Sequence, residues 1–251
     1  MTTSLYFTYD GLLDPLGQSQ ILPYILNLKN NGYKLVIISY EKSNQLQNIA
    51  ILSKKLSKEG IYWKPLIFRK GKIYFFQRIF MGIIWIHLLN IRKKVDLVHL
   101  RGGYSGLIYF ISLCRTKYLY DLRAFWGQWA DGGRTNYNSL TYRLLIKLEN
   151  CLINRASGII VLDKSGEEFL KKSFNFKKPL FVIPTATNLK KYKLKRKSNK
   201  KTINFVYLGG ARFPPYRISD AISLIKHLNN YGLNCKIDFI NNNICGFLGI
   251  V

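Results

Sequence analysis

Acidic residues are scarce in this 251-residue chain: 13 Asp and Glu stand against 39 Lys and Arg, for a formal net charge of +26. The imbalance draws the protein toward polyanions such as nucleic acid, anionic lipid or phosphate-bearing substrates. The alternative is a basic surface that is merely solvated. Cysteine is rare as well. Cys114, Cys151, Cys235 and Cys245 show no CxxC spacing and no neighbouring His cluster, which excludes zinc-finger and disulfide frameworks. They read as reduced, buried thiols. The N-terminus, MTTSLYFTYDG, lacks a charged stretch followed by an apolar one, so no secretory signal is read. The cytoplasm is the expected location, with the inner face of the cell membrane as a peripheral option. There is no RRM, KH, helix-turn-helix or zinc-finger pattern, which disfavours nucleic acid as partner. Nothing reads as a Ser-His-Asp triad, a paired-carboxylate hydrolase or a metal site, and the absence of GxGxxG disfavours a nicotinamide or flavin cofactor.

Hydrophobic residues make up 48% of the chain and aromatic residues 14%, a globular composition. Short β-rich runs alternate with helical patterns to about residue 183, which predicts α/β architecture: a Rossmann-like parallel sheet with helices on both faces. Strands are expected at Ser4–Thr8, Lys34–Ser39, Tyr62–Ile67, Asp96–Leu100, Tyr118–Tyr120, Gly158–Val161 and Phe181–Ile183. Ser165 and Glu168 have capping-box spacing, and Gly32 and Gly60 fall at expected helix ends. Eight of the twelve residues from Lys190 to Lys201 are basic without apolar periodicity, which reads as an exposed linker. The expected organisation is therefore a first domain over 1–187, a linker over 188–201 and the opening elements of a second α/β domain over 202–251. The run Tyr74–Ile91 approaches membrane-spanning length, but Gln77, Arg78, His87 and Asn90 interrupt it. It reads as a crossover helix on the sheet, or as a helix lying on an anionic membrane, and the two can hold for different faces.

Four segments carry candidate chemistry. In YDGLLDPLGQSQ, after the first strand, Gly17 allows a tight turn and the N–H groups of Gln18 and Ser19 would favour an anion. After the fourth strand, His99 and Arg101 fall at the carboxyl end of the sheet, leading into a glycine loop, Gly102-Gly103-Tyr104-Ser105-Gly106. The segment from Asp121 to Arg134 holds Arg123, Trp126, Trp129 and Asp131, with polar groups for sugar hydroxyls and indole faces for a pyranose ring. In LGGARFPPYR, Arg212 and Arg217 follow another glycine turn and suit diphosphate oxygens.

Taken in order, DGLLDPLGQSQILPYILNLKNNGYKLVIISYEK, DLVHLRGGYSG, YDLRAFWGQWADGG and VIPTATNLKKY resemble the N-terminal domain of family-4 retaining glycosyltransferases of GT-B architecture. The resemblance implies transfer of a sugar from a nucleotide-diphosphate sugar to a glycan or lipid-linked acceptor, with retention, no cofactor and no metal. It implies donor contacts at Gly17, Gln18, Arg212 and Arg217. Contacts to the reacting sugar would fall to His99, Asp121 and Arg123, and acceptor contacts to Arg101, Trp126, Trp129 and Asp131. The family's paired glutamates that hold the donor ribose have no counterpart in this sequence, so little turnover by this chain alone is expected. The alternative readings are a non-catalytic basic module binding anionic membrane or a partner, and a remnant of a truncated gene.

Overall fold

The structure, a computed structural model, describes residues 2–127, 136–174, 176–186, 202–208 and 218–240. The described residues fall into two compact units, one within 2–186 and the other within 202–240. The first is a seven-stranded sheet with helices on both faces. Its strands are β1 (Thr3–Thr8), β2 (Lys34–Lys42), β3 (Tyr62–Phe68), β4 (Leu97–Arg101), β5 (Tyr118–Asp121), β6 (Gly158–Val161) and β7 (Leu180–Val182). All pair in parallel, in the order β3-β2-β1-β4-β5-β6-β7. The chain thus winds outward from β1 to β3, then returns to lay β4 on the other side of β1. That reversal is the topological switch point of an open parallel sheet, beside which ligands bind at the carboxyl ends of the strands.

Parallel strands covered on both faces read as continuous apolar runs, and β2 is buried throughout between its exposed end residues. On one face Tyr6, Leu35, Ile37 and Trp63 pack with Leu22 and Ile25 of α1 (Leu22–Asn30) and with Leu52 and Leu56 of α2 (Leu46–Lys58). On the other face Leu5, Phe7, Val98, Leu100 and Tyr120 meet three more helices. Ile86 and Leu89 come from α3 (Lys72–Lys93), Ile108 and Tyr109 from α4 (Gly102–Ile111), and Leu152 and Ile153 from α5 (Leu140–Arg155). Each such fully buried aliphatic side chain contributes about 1.5–3 kcal/mol of transfer free energy. A last helix, α6 (Lys164–Phe174), adds Leu170 to the same core.

Four local expectations are corrected. The glycine loop after β4 is helix from Gly102 onward, because Gly102 takes a positive φ of 77° and turns strand directly into α4. The N-terminal cap of α6 is Asp163, whose Oδ1 accepts from Gly166 N at 2.7 Å, two residues earlier than a Ser165 box requires. Helical backbone after β1 already begins at Pro15, passes through a π-helical turn at Gly17–Ile21 and continues as α1. Of the thiols, Cys235 is buried but Cys114 and Cys151 are only half-buried, and Cys245 lies outside the described residues. Gly32 and Gly60 do end helices with positive φ.

In the second unit, β8 (Ile203–Leu208) and β9 (Cys235–Ile240) pair in parallel across the helix α7 (Ile218–Asn230). Asn229 fastens the helix to β9, accepting from Cys235 N at 2.7 Å and donating to Cys235 O at 3.1 Å.

Candidate functional site

The register of the sheet sets Thr8, Arg101 and Asp121 in one row across β1, β4 and β5 at their carboxyl ends. Tyr6 and His99 form the row beneath, on the same face by strand alternation. The row is the nucleus of a polar cluster at the switch point. Asp121 Oδ2 accepts from Arg123 Nη2 at 2.8 Å and from His99 Nε2 at 3.3 Å, and lies 3.5 Å from Arg101 Nη1. Arg101 also donates to Gln20 Oε1 at 2.9 Å and stands 3.7 Å from Asp10 Oδ2. The His99 ring is held between Tyr6, at 4.5 Å between centroids, and Tyr24, at 5.7 Å.

Burial pushes the Asp121 carboxyl up, but the His99 hydrogen bond and the charges of His99 and Arg123 outweigh it and hold the group below the usual carboxylate range. Asp121 is therefore ionised near neutrality, which makes His99 Nε2 the donor to it. Two guanidiniums, Arg101 and Arg123, face two carboxylates, Asp121 and Asp10.

Despite these contacts the cluster is incompletely satisfied. Tyr6 Oη, Arg101 Nε, Asp121 Oδ1 and Arg123 Nε are buried without a hydrogen-bond partner, and they are four of six such side-chain atoms among the described residues. Buried polar atoms are paired in the great majority of cases, so a local group of unpaired ones marks a place prepared for water or a ligand. His99, Arg101 and Asp121 are themselves nearly inaccessible. The approach is from Arg123 and Asp10, whose side chains are 23% and 52% exposed.

The turn after β1 is built differently. Glu41, buried at the end of β2, accepts from Leu12 N at 2.7 Å, Leu13 N at 3.1 Å and Ser39 Oγ at 2.6 Å. Trp63 Nε1 in turn donates to Ser39 Oγ at 2.8 Å. Burial raises the Glu41 carboxyl above the ordinary range against these three donors. The anion held by this turn thus comes from the chain itself. Gly17 is explained by packing, since a Cβ there would collide with the Gly11 carbonyl oxygen and lie 2.6 Å from Leu12 Cα. Gln18 N is occupied by Asp14 O at 2.9 Å and Gln18 Nε2 by Leu12 O at 3.0 Å. The Gln18 amide anticipated as free for an anion is consumed because the helix starts earlier.

Trp126 also differs from expectation. Its side chain is buried, with the indole set against Gly103, where any Cβ would collide with the ring. Its faces are covered by protein rather than presented to a sugar. Behind it Glu149, buried in α5, accepts from Trp126 N at 2.9 Å. With burial dominant and the Trp126 N–H opposing it, the Glu149 carboxyl is pushed up to about 7. Trp129, Asp131, Arg212 and Arg217 lie outside the described residues. Asp10, Gln20, Tyr6 and Glu41 were not singled out by residue pattern, since each enters through a contact distant in sequence.

No protein-family model and no curated protein matches the chain. Solved structures do. A sucrose-phosphate synthase from Thermosynechococcus elongatus superposes with a TM-score of 0.56 at 10% identity, over 94% of this chain and 70% of that one. A glycosyltransferase from Rickettsia africae ESF-5 gives 0.54 at 14% identity, over 97% and 69%. Medicago truncatula UGT71G1, complexed with UDP-glucose, gives 0.56 at 11% identity, over 96% and 67%. The chain has a glycosyltransferase fold. It spans roughly two thirds of the length of these neighbours, and at such identities the likeness is one of architecture.

Proposed function

We propose that this chain is the acceptor-side part of a nucleotide-sugar-dependent glycosyltransferase, with the opening of a donor-side domain from about residue 202. The observation that carries the reading is the group of unpaired polar atoms around Asp121, at the switch point of a sheet shared with a UDP-glucose-binding neighbour. In sugar transfer the bond from the anomeric carbon to the diphosphate breaks, an acceptor oxygen bonds to that carbon and the acceptor hydroxyl gives up its proton. Asp121 Oδ1, ionised and unpaired, suits a hydroxyl donor on a sugar ring. Arg123 Nε and Arg101 Nε suit its oxygens. His99, whose Nε2–H is spent on Asp121, positions that carboxylate.

A cluster whose guanidiniums already face carboxylates favours polyhydroxyl groups over a diphosphate, whose charge must be met elsewhere. Arg212 and Arg217 are the proposed partners for it. The fuller reading is retaining transfer, without a metal ion, to a glycan or lipid-linked acceptor at the cytoplasmic side.

Calorimetric titration with UDP, GDP and their sugar conjugates tests this, with Arg212→Ala and Arg123→Ala alongside the native chain. Nucleotide binding lost in Arg212→Ala, and glycan binding weakened about tenfold in Arg123→Ala, are the expected results; a tenfold change corresponds to about 1.4 kcal/mol. If the native chain binds neither nucleotide sugars nor glycans, the transferase reading fails.

A further inference from the structure

The helix α3 has two faces. Arg78, Gly82, Ile86 and Leu89 are buried against the protein. On the outer side Ile73, Phe76, Phe80 and Ile91 are between 63% and 83% exposed. At about 100° per residue these four fall within an arc of about 60°, and the stripe runs about 27 Å along the helix. Soluble surfaces scatter exposed apolar residues singly, so a line of two phenylalanines and two isoleucines marks a contact surface. A fifth residue extends it. Leu113, held at a positive φ of 54°, is 81% exposed. The residues on either side of it are tied to α3, with His87 Nε2 2.8 Å from Ser112 O and Asn90 Nδ2 3.6 Å from Cys114 Sγ.

Charge says what covers this surface. No Asp or Glu occurs between Glu59 and Asp96, or between Asp96 and Asp121. The stripe is bracketed by exposed Arg69, Lys70 and Lys72 at one end and by Arg92, Lys93 and Lys94 at the other, with Arg115 beyond Leu113. Beside its first half a cavity of about 330 Å³ is lined by Lys64, Arg69 and Arg78 together with Ile67, Gln77 and Met81. Among the described residues none of these three cations has a carboxylate partner. Arg78 instead donates to Tyr9 Oη at 2.6 Å, and Lys64 Nζ sits 3.9 Å over the Trp85 ring. Apolar side chains in line, cations at both ends and no acid between them form the pattern of a helix lying in the plane of an anionic bilayer.

We propose that the outer face of α3, with Leu113, is a membrane-docking surface for anionic phospholipid. Phe76, Phe80, Ile73 and Ile91 enter the acyl boundary, the flanking cations meet the headgroups, and the Lys64–Arg69–Arg78 cavity admits a lipid phosphate. This surface is independent of the transferase reading and holds whether or not the chain transfers sugar.

The test is co-sedimentation of the 251-residue chain with vesicles of phosphatidylglycerol mixed with phosphatidylcholine, and with vesicles of phosphatidylcholine alone. Phe76→Ser/Phe80→Ser is compared with Ile51→Ser, an exposed apolar site on α2. Circular dichroism verifies the fold of both, and size exclusion reports their oligomeric state. Anionic vesicles should retain the native chain, with binding about tenfold or more weaker in the double variant, unchanged in Ile51→Ser and reduced by salt. Failure of the native chain to bind anionic vesicles overturns the proposal, as does equal binding by the double variant. A native dimer that the double variant dissolves also overturns it, because the stripe is then covered by a second copy of the chain.

Discussion

Two turns at the same edge of the sheet meet their polar obligations in opposite ways. After β1, Glu41 reaches over from β2 and answers the Leu12 and Leu13 amides, and Gly17 is packed against the backbone it would otherwise have to avoid. After β4 and β5, three cationic or imidazole side chains converge on one oxygen of Asp121 and leave its other oxygen unpaired. The first turn is a finished structural joint, and the second is an unfinished polar cluster. Gly17 therefore signals close packing rather than a ligand, and unmet hydrogen-bonding capacity is the better guide to where a ligand sits.

The comparison is broken most severely from its closed side. Gly17→Ala is expected to lose about 4 kcal/mol in urea unfolding, since the added methyl meets backbone that cannot retreat. Glu41→Leu should follow with a loss of about 3 kcal/mol, because two amides and the Ser39 hydroxyl lose their acceptor inside the protein. If both variants kept native stability while losing nucleotide binding, the turn after β1 would be functional rather than structural.

Glu149 sharpens the contrast, as a buried carboxylate with one donor among the described residues where Glu41 has three. Its raised pKa means that the folded state keeps a proton which the unfolded state releases between about pH 4.5 and about pH 7. Its contribution to stability is thus complete below pH 4.5 and lost as pH rises through 7. Glu149→Gln should remove that dependence and gain about 2 kcal/mol at pH 8. A flat native pH profile over this window would show that Glu149 is not the titrating group.

On the open side the smallest change in stability is expected. Arg123→Ala, at a partly exposed position, should shift stability by about 1 kcal/mol or less while weakening glycan binding. Asp121, with its lowered pKa, stabilises the fold above the ordinary carboxylate range, and that stability is lost as pH falls. Removing Arg123 brings the pKa back up, so the acid unfolding midpoint should move to higher pH.

The strands of the first unit were legible because buried parallel strands read as apolar runs, and β2 and β6 carry that signal most clearly. Helix starts were not, since Asp163 and Ser165 offer equally good caps and only tertiary packing chose between them. His99, Arg101, Asp121 and Arg123 could be found as polar residues at the carboxyl ends of apolar strands. Asp10, Gln20 and Glu41 could not, because their partners lie 28 to 91 positions away, and sequence order does not reveal which turns become neighbours. Trp126 misled for a related reason: an indole in a polar, glycine-rich segment suits a sugar and a core equally, and Gly103 decided the matter.

The placement of β4 beside β1 also governs how the molecule must come together. Thr3 N reaches Asp96 Oδ2 at 2.8 Å across 93 positions of chain. On a ribosome β1, β2 and β3 are complete by Phe68, yet the second edge of β1 stays unpaired while residues 69–101 are made, roughly 2–7 s at ordinary translation rates. During that interval an apolar strand with open amides is exposed to other chains. The reversal of strand order is thus also the step at which synthesis is most vulnerable to aggregation, and every residue of the Asp121 cluster has to wait for it.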